Sequence, residues 1–289
     1  MPQQRGGRAP AAGGAGKGKS PGGDVRSAGR AVRAPAKAQG TAQGTAQGTA
    51  QGKTGARPAA PAAVPDPAAE ARALAQACAE LGLDLDDAQQ RRLLDYCALL
   101  RKWNAVYNLT AVRDPGAMLV QHLFDCLAII PVLRRPQDHL ADGAVVLDVG
   151  SGGGLPGVVL AICLPAIDVH CVDTVGKKAA FVTQVRAELG LANLSALHAR
   201  VEELRAPRDL PPATLIVSRA FSSLAQFVGL TAHLRAPQGV WAAMKGQWPG
   251  EELAELPAAV RPGPAYTLRV PQLDAQRHVL LIEAASPAA

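Results

Sequence analysis

From residue 145 onward, short apolar runs alternate with longer segments whose apolar positions recur at helical spacing. Residues 145–149, 167–173, 194–198, 215–218 and 240–245 are runs of strand length, bounded by Gly, Pro, Asp or Ser. The stretches between most of them carry helical patterns, so the region predicts parallel strands joined by crossover helices. A last pair, 266–270 and 278–282, flanks Pro271-Gln-Leu-Asp-Ala-Gln-Arg277 and reads as an antiparallel hairpin. Upstream the period is helical throughout. Residues 68–81 end at Gly82, a suitable C′ residue. A longer helix starts near Asp86 and runs through Leu93, Leu94, Cys97, Leu100 and Trp103. Asp114-Pro115 reads as N-cap and first turn of a stretch through Leu119, His122, Leu123, Asp125 and Leu127. The expected organisation is a small helical cap over 68–140 and an α/β domain over 141–285.

Before Pro67 the pattern lapses. Residues 40–52 repeat Gly-Thr-Ala-Gln three times, and Gly, Ala, Pro, Gln and Arg dominate around them. Such a segment buries too little apolar surface to offset its ordering entropy, so residues 1–67 read as a disordered basic tail. The tail also changes the meaning of the net charge. Of the +6 carried by the 289 residues, the first 69 hold ten Lys/Arg against Asp24 and Asp66, about +8. The rest is slightly acidic, so any nucleic-acid contact on the folded part is a local patch. The chain shows no apolar run near Met1 and no 18-residue apolar span, which predicts neither secretion nor membrane insertion. Cys78, Cys97, Cys126, Cys163 and Cys171 form no C-x-x-C pair and stand among apolar neighbours. They read as reduced core thiols of a cytoplasmic protein, and no metal site is expected.

The candidate chemistry begins where the first strand ends, at Asp148-Val-Gly150-Ser-Gly152-Gly-Gly154-Leu-Pro156-Gly157. Glycines here let the backbone turn through positive φ and approach a ligand closely. Two frames compete. Gly152-x-Gly154-x-x-Gly157 fits a dinucleotide fingerprint, with pyrophosphate at the helix N-terminus. Asp148-x-Gly150-x-Gly152-x-Gly154 fits the first motif of S-adenosylmethionine (AdoMet) methyltransferases. Register favours the second, because Asp148 and Gly150 occupy the strand end; an acid there suits an amino group and a sulfonium and repels pyrophosphate. The closing hairpin points the same way, towards a Rossmann-like class I AdoMet-dependent methyltransferase fold. Gly152 is therefore a cofactor-binding candidate. So is Asp173, which ends the second strand where a carboxylate can accept ribose hydroxyls of either cofactor. After the third strand, Ala199-Arg200-Val201-Glu202-Glu203 offers an apolar residue beside a carboxylate for adenine. The fourth strand ends in Ser218-Arg219-Ala220-Phe221 and the fifth in Lys245-Gly246-Gln247.

Together these motifs resemble the bacterial 16S ribosomal RNA N7-guanine methyltransferases, the small-subunit rRNA methyltransferase G family, also known as glucose-inhibited division protein B. The segments that carry the likeness are 148–157, 200–203, 218–221 and 245–247. Trp103-Asn104, 107–111, 122–127 and 271–283 resemble the family's helical segment and last hairpin. The resemblance spans about 70–284. Cys126 stands where serine is expected and Gly153 where proline is common. The resemblance implies AdoMet contacts at Gly150, Leu155, Val201, Glu202 and Arg219. It also implies a partner, 16S rRNA within the small ribosomal subunit, and a target, N7 of the guanine at position 527 in the 530 loop.

Absent motifs agree with that acceptor. No Asn/Asp-Pro-Pro-aromatic turn follows the fourth strand, as amino-directed adenine methylation would need. No cysteine follows Cys171 to act as the nucleophile of a cytosine-C5 enzyme. N7 of guanine carries a free lone pair, so no general base is needed and no catalytic acid or base is assigned. Positioning alone can supply roughly 7–11 kcal/mol. Lys245 and Lys177 are candidate contacts for RNA, with Lys177-Lys178 equally readable as surface charge. His122 reads as a satisfied inter-helix histidine, and Trp103 and Tyr107 as packing residues. A monomer is expected. The rival readings are an NAD-binding oxidoreductase and a catalytically silent RNA-binding assembly factor of the same fold.

Overall fold

The computed structural model describes residues 66–135, 139–219 and 221–285. The expected disordered tail lies outside these residues, except for Asp66 and Pro67, which instead open a helix. That helix, α1 (Pro67–Leu81), starts where the Asp66 carboxylate accepts from the Ala68 N–H at 3.0 Å, and stops at Gly82 in the left-handed region. The second, α2 (Asp87–Tyr107), opens with a capping box between Asp86 and Gln89.

The next helical run comprises α3 (Pro115–Met118), a π-helical segment Leu119–Phe124, α4 (Asp125–Leu127) and α5 (Ile130–Leu133). This run corrects one expectation. By length and composition Pro115–Leu133 is apolar enough to cross a membrane. It is nonetheless 67% buried inside the fold, and its Leu119, Leu123, Phe124, Leu127 and Ile130 belong to the core.

Seven strands make one sheet: β1 (Val145–Val149), β2 (Asp168–Asp173), β3 (Leu194–His198), β4 (Ala213–Ser218), β5 (Arg235–Lys245), β6 (Val260–Thr267) and β7 (His278–Ala284). Their order is β3-β2-β1-β4-β5-β7-β6. The first five run parallel and β7 inserts antiparallel between β5 and β6. The expected hairpin is present, although its first strand begins at Val260 and ends at Thr267. Crossover helices α6 (Gly157–Cys163), α7 (Gly176–Leu189) and α8 (Leu224–Thr231) cover the faces, and α9 (Gly250–Ala254) follows β5.

Alternation along the strands divides the core. Val146, Leu215 and Val217 face one cluster, while Leu147, Val149 and Ile216 face the other. The first cluster also takes Leu74 of α1, Leu93 and Leu100 of α2, Leu127 of α4 and Phe181 of α7. The cap helices therefore share one core with the sheet. Strand order reverses at β1, which pairs with β2 on one side and β4 on the other. The carboxyl ends of these strands are the switch point, where open α/β sheets bind ligands.

Candidate active site

The chain leaving β1 turns through positive φ at Gly150 (69°) and Gly152 (59°). A Cβ built at either position meets no atom within 4 Å, so the loop backbone faces open space. At the end of β2, Asp173 holds this loop in place. Its Oδ2 accepts from the Gly152 N–H at 2.9 Å and its Oδ1 from the Val175 N–H at 2.8 Å. Lys178 Nζ stands 3.5 Å from Oδ2. A cleft of about 400 Å³ opens here, lined by Gly150, Asp173, Val201 and Glu202 among others. Val149, Val172, Phe221 and Leu230 give it apolar walls. The Oδ1 of Asp173 keeps a further lone pair for a hydroxyl. The Glu202 carboxyl lies below its ordinary range, held there by its own backbone N–H and by Arg200, whose Nε donates at 2.8 Å. A lining of glycine backbone, apolar side chains and two carboxylates suits the nucleoside of AdoMet.

Asp148 behaves differently from expectation. It is fully buried and does not line the cleft. Its Oδ2 accepts from the Gly157 N–H at 2.8 Å, so the acid sits on the N-terminus of α6. Gly157 is required there: a Cβ would lie 2.5 Å from Cys171 Sγ and 2.9 Å from Asp148 Oδ2. Burial pushes the Asp148 pKa up to about 7, against the opposing pull of the Gly157 N–H and of Arg219. This geometry also separates the two cofactor frames. A dinucleotide would place pyrophosphate at the start of the helix after β1. In this fold that start is occupied by Asp148, and all of α6 is buried.

A second cleft, of about 380 Å³, lies beyond β4. Arg219, immediately after β4, lines it, whereas Phe221 lines the first cleft. The chain leaving β4 thus runs between the two. At the floor is Asp125, its side chain only 5% exposed, supplied by the first turn after the π-helical segment. Arg277, from the β6–β7 connection, donates Nε to Asp125 Oδ1 at 3.0 Å. Arg219 Nη1 stands 3.6 Å from Asp125 Oδ2 and donates to the Gln121 carbonyl at 3.2 Å. The same Nη1 is 3.3 Å from His122 Nδ1. Because a guanidinium can only donate, Nδ1 carries the lone pair, and Nε2–H donates to Thr110 Oγ1 at 2.7 Å. Burial, then the charge of Arg219, lowers the His122 pKa to about 4. Burial raises the Asp125 carboxyl, against the two arginines. Lys245 also lines this cleft and donates to Glu252 at 2.9 and 2.8 Å.

Of the candidate residues, Gly150, Asp173, Val201 and Glu202 share the first cleft, with Gly152 bonded to Asp173 behind them. Arg219 and Lys245 fall in the second. Leu155 is 4% exposed within the core and lines neither cleft. Lys177 also lies apart, donating to the Tyr107 carbonyl at 2.6 Å. Trp103 packs between Tyr107 and Phe181, at 5.1 and 5.4 Å. All five cysteines are buried free thiols whose pKa values are raised by burial. Sequence reasoning missed the roles of Asp125, Arg277 and His278. Each lay inside a segment that resembled the family, but no spacing reveals that residues 125 and 277 meet.

The sequence profile of the family described as rRNA small subunit methyltransferase G matches residues 89–280. A "Ribosomal RNA small subunit methyltransferase G" from Acidovorax sp. (strain JS42) is 55% identical over 206 residues, covering 69% of this chain and 89% of that protein. The protein of the same name from Burkholderia pseudomallei (strain 1106a) is 55% identical over 204 residues, covering 70% and 86%. Among solved structures, a SAM-dependent methyltransferase from Geobacter sulfurreducens in complex with S-adenosyl-L-homocysteine superposes with a TM-score of 0.45 at 12% identity, covering 65% of this chain and 98% of that one. By profile and by identity, the chain belongs to the small-subunit rRNA methyltransferase G family.

Proposed function

We propose that the protein transfers the methyl group of AdoMet to N7 of a guanine in 16S rRNA, at position 527 in the 530 loop. The observation that carries this reading is the pairing of two clefts across the chain that leaves β4. One has glycine backbone, apolar walls and two carboxylates, a lining that suits a nucleoside. The other brings Arg219, Lys245 and Arg277 to one cavity, an electrostatic setting suited to RNA phosphate. When bound, AdoMet supplies an electrophilic methyl on a sulfonium. Gly150 and Gly152 would give the backbone room for it, Asp173 and Glu202 would accept from its hydroxyl and amino groups, and Val201 would pack against its base.

Two titratable groups of the second cleft, His122 and Asp125, are already engaged. His122 spends its lone pair on Arg219, and Asp125 is held between two guanidinium groups. Neither is free to take a proton, and N7 has none to give. The chain's contribution is alignment of donor and acceptor, with the arginines drawing the RNA backbone in. N7 lies in the deep, narrow major groove of A-form RNA, so the acceptor enters from a loop or turned out of its stack. Both clefts are built from a single copy, in keeping with action as a monomer. The buried thiols suit the reducing cytoplasm.

The test is methyl transfer from labelled AdoMet to small subunits that lack this modification, followed by mass mapping of the 16S rRNA. One new methyl group is expected, on one guanine, with strand scission by chemistry specific for N7-methylguanine. Label at another atom or another base overturns the acceptor. NADH binding in place of AdoMet overturns the class.

A further inference from the structure

We propose that Trp248 is a stacking platform for an unstacked base of the RNA strand whose guanine enters the second cleft; the inference rests on the function proposed above. Trp248 lies in the short connection between β5 and α9, three residues past Lys245. It is 53% exposed, and among the described residues only Tyr107 is a comparably exposed aromatic. Tyr107 is packed against Trp103 and borders neither cleft. Trp248 instead meets the imidazole of His278 edge-on, ring centroids 5.7 Å apart. His278 lines the second cleft and is 8% exposed, and its Nε2 has no hydrogen-bond partner among the described residues. The indole therefore stands beside a residue of the cavity wall.

An exposed indole keeps a large apolar face in water, and a nucleobase matches that face in size and flatness. Stacking does not depend on which base is presented, because every base has a π-face. Arg277, whose Nε is held by Asp125, lines the same cavity as His278 and supplies cationic N–H groups for a neighbouring phosphate. Lys245 is anchored on Glu252, which also accepts from the Leu224 N–H at 2.8 Å, so the start of this connection is tied to α8. A Cβ added at Gly250 would lie 3.5 Å from the indole Cδ1, so the glycine is a close neighbour of the ring. An aromatic face set beside a cationic cavity suits single-stranded RNA, whose bases are splayed out, better than a duplex.

The experiment uses the full chain with Trp248→Ala and Trp248→Phe. Methyl transfer to unmodified small subunits should show KM raised about tenfold in Trp248→Ala, within the range of base–aromatic stacking. Its kcat should stay within about twofold, and its AdoMet affinity should be unchanged. Trp248→Phe should retain most of the wild-type KM. In a second arm, single-stranded RNA should quench the indole emission of the wild-type chain. An abasic sugar–phosphate oligomer of equal length should not quench it, and should bind wild type and Trp248→Ala alike. Equal KM in wild type and Trp248→Ala overturns the proposal, as does equal quenching by the abasic oligomer. The second arm needs no turnover, so a chain that transfers no methyl group would refute the proposed function while still reporting on Trp248.

Discussion

The two clefts are built in opposite ways. The first is made of strand ends and the backbone that leaves them: Gly150, Asp173, Val201 and Glu202 each lie at or just past the carboxyl end of a strand. Its shape follows from the sheet. The second gathers Gln121, Asp125, Arg219, Lys245 and Arg277 from the cap, two strand ends and the hairpin, and is fixed by charged side chains around one buried carboxylate. A cofactor site that must admit one small molecule can be set by backbone. An acceptor site facing a large RNA needs charges, and those charges need a counter-ion to keep them oriented. In the second cleft Asp125 is the counter-ion of Arg219 and Arg277.

The sharpest way to break the first cleft is Gly152→Val. A β-branched side chain at φ 59° is strained, and it fills the open space above the loop. AdoMet at 100 times its Kd should stabilise the wild type by about 2.7 kcal/mol. In calorimetry the variant should lose that stabilisation, with affinity down by about 100-fold or more, on the scale of the strain and lost space. RNA binding should persist.

Arg219 tests the second cleft. Arg219→Lys keeps the charge but loses the planar fork, so kcat/KM should fall by roughly tenfold to a hundredfold without a new limb in the pH–rate profile. Removing the side chain should also cost stability, because Asp125 is buried and keeps only Arg277. Arg219 is itself about a quarter exposed, so the cost should sit below the 3–5 kcal/mol of a fully buried pair, at about 2 kcal/mol. Asp125→Asn added to Arg219→Ala should not recover the lost melting temperature, since Arg277 then loses its carboxylate partner.

The same contrast explains what the sequence disclosed. Strands β1 and β3 were legible to the residue because apolar runs end there in Asp148-Val-Gly and in His198-Ala. The start of β6 was not. Arg261-Pro-Gly-Pro264 reads as a turn, but β6 is the outermost strand of the sheet, where proline is tolerated. The first half of β5, with Pro237 and Gly239, was hidden for a similar reason, and the ladder to β4 is irregular there. The long apolar run 115–133 escaped notice because Gln121, His122 and Asp125 interrupt its pattern, and all three of those interruptions line the second cleft. Asp148 was legible as an acid at the strand end, but only the fold shows it turned onto α6. The first cleft follows local rules of strand, glycine and acid. The second depends on contacts between residues up to 152 positions apart.

A smaller effect isolates Asp148. Its folded pKa of about 7 lies above the ordinary carboxyl value of 3.8, so between those values the folded state binds the proton that the unfolded state has released. Stability therefore falls as pH rises from about 4 to about 7. Asp148→Asn should flatten that slope in melting curves taken across the window. An unchanged slope would mean that the buried acid titrates normally.

The most direct measurement is a crossed pair of affinities, for AdoMet and for 16S rRNA, on Asp173→Asn and Arg277→Ala. Two separate clefts require that Asp173→Asn weaken AdoMet binding and leave RNA binding near wild type, and that Arg277→Ala do the reverse. If either variant weakens both ligands equally, donor and acceptor share one site and the division at the end of β4 is wrong.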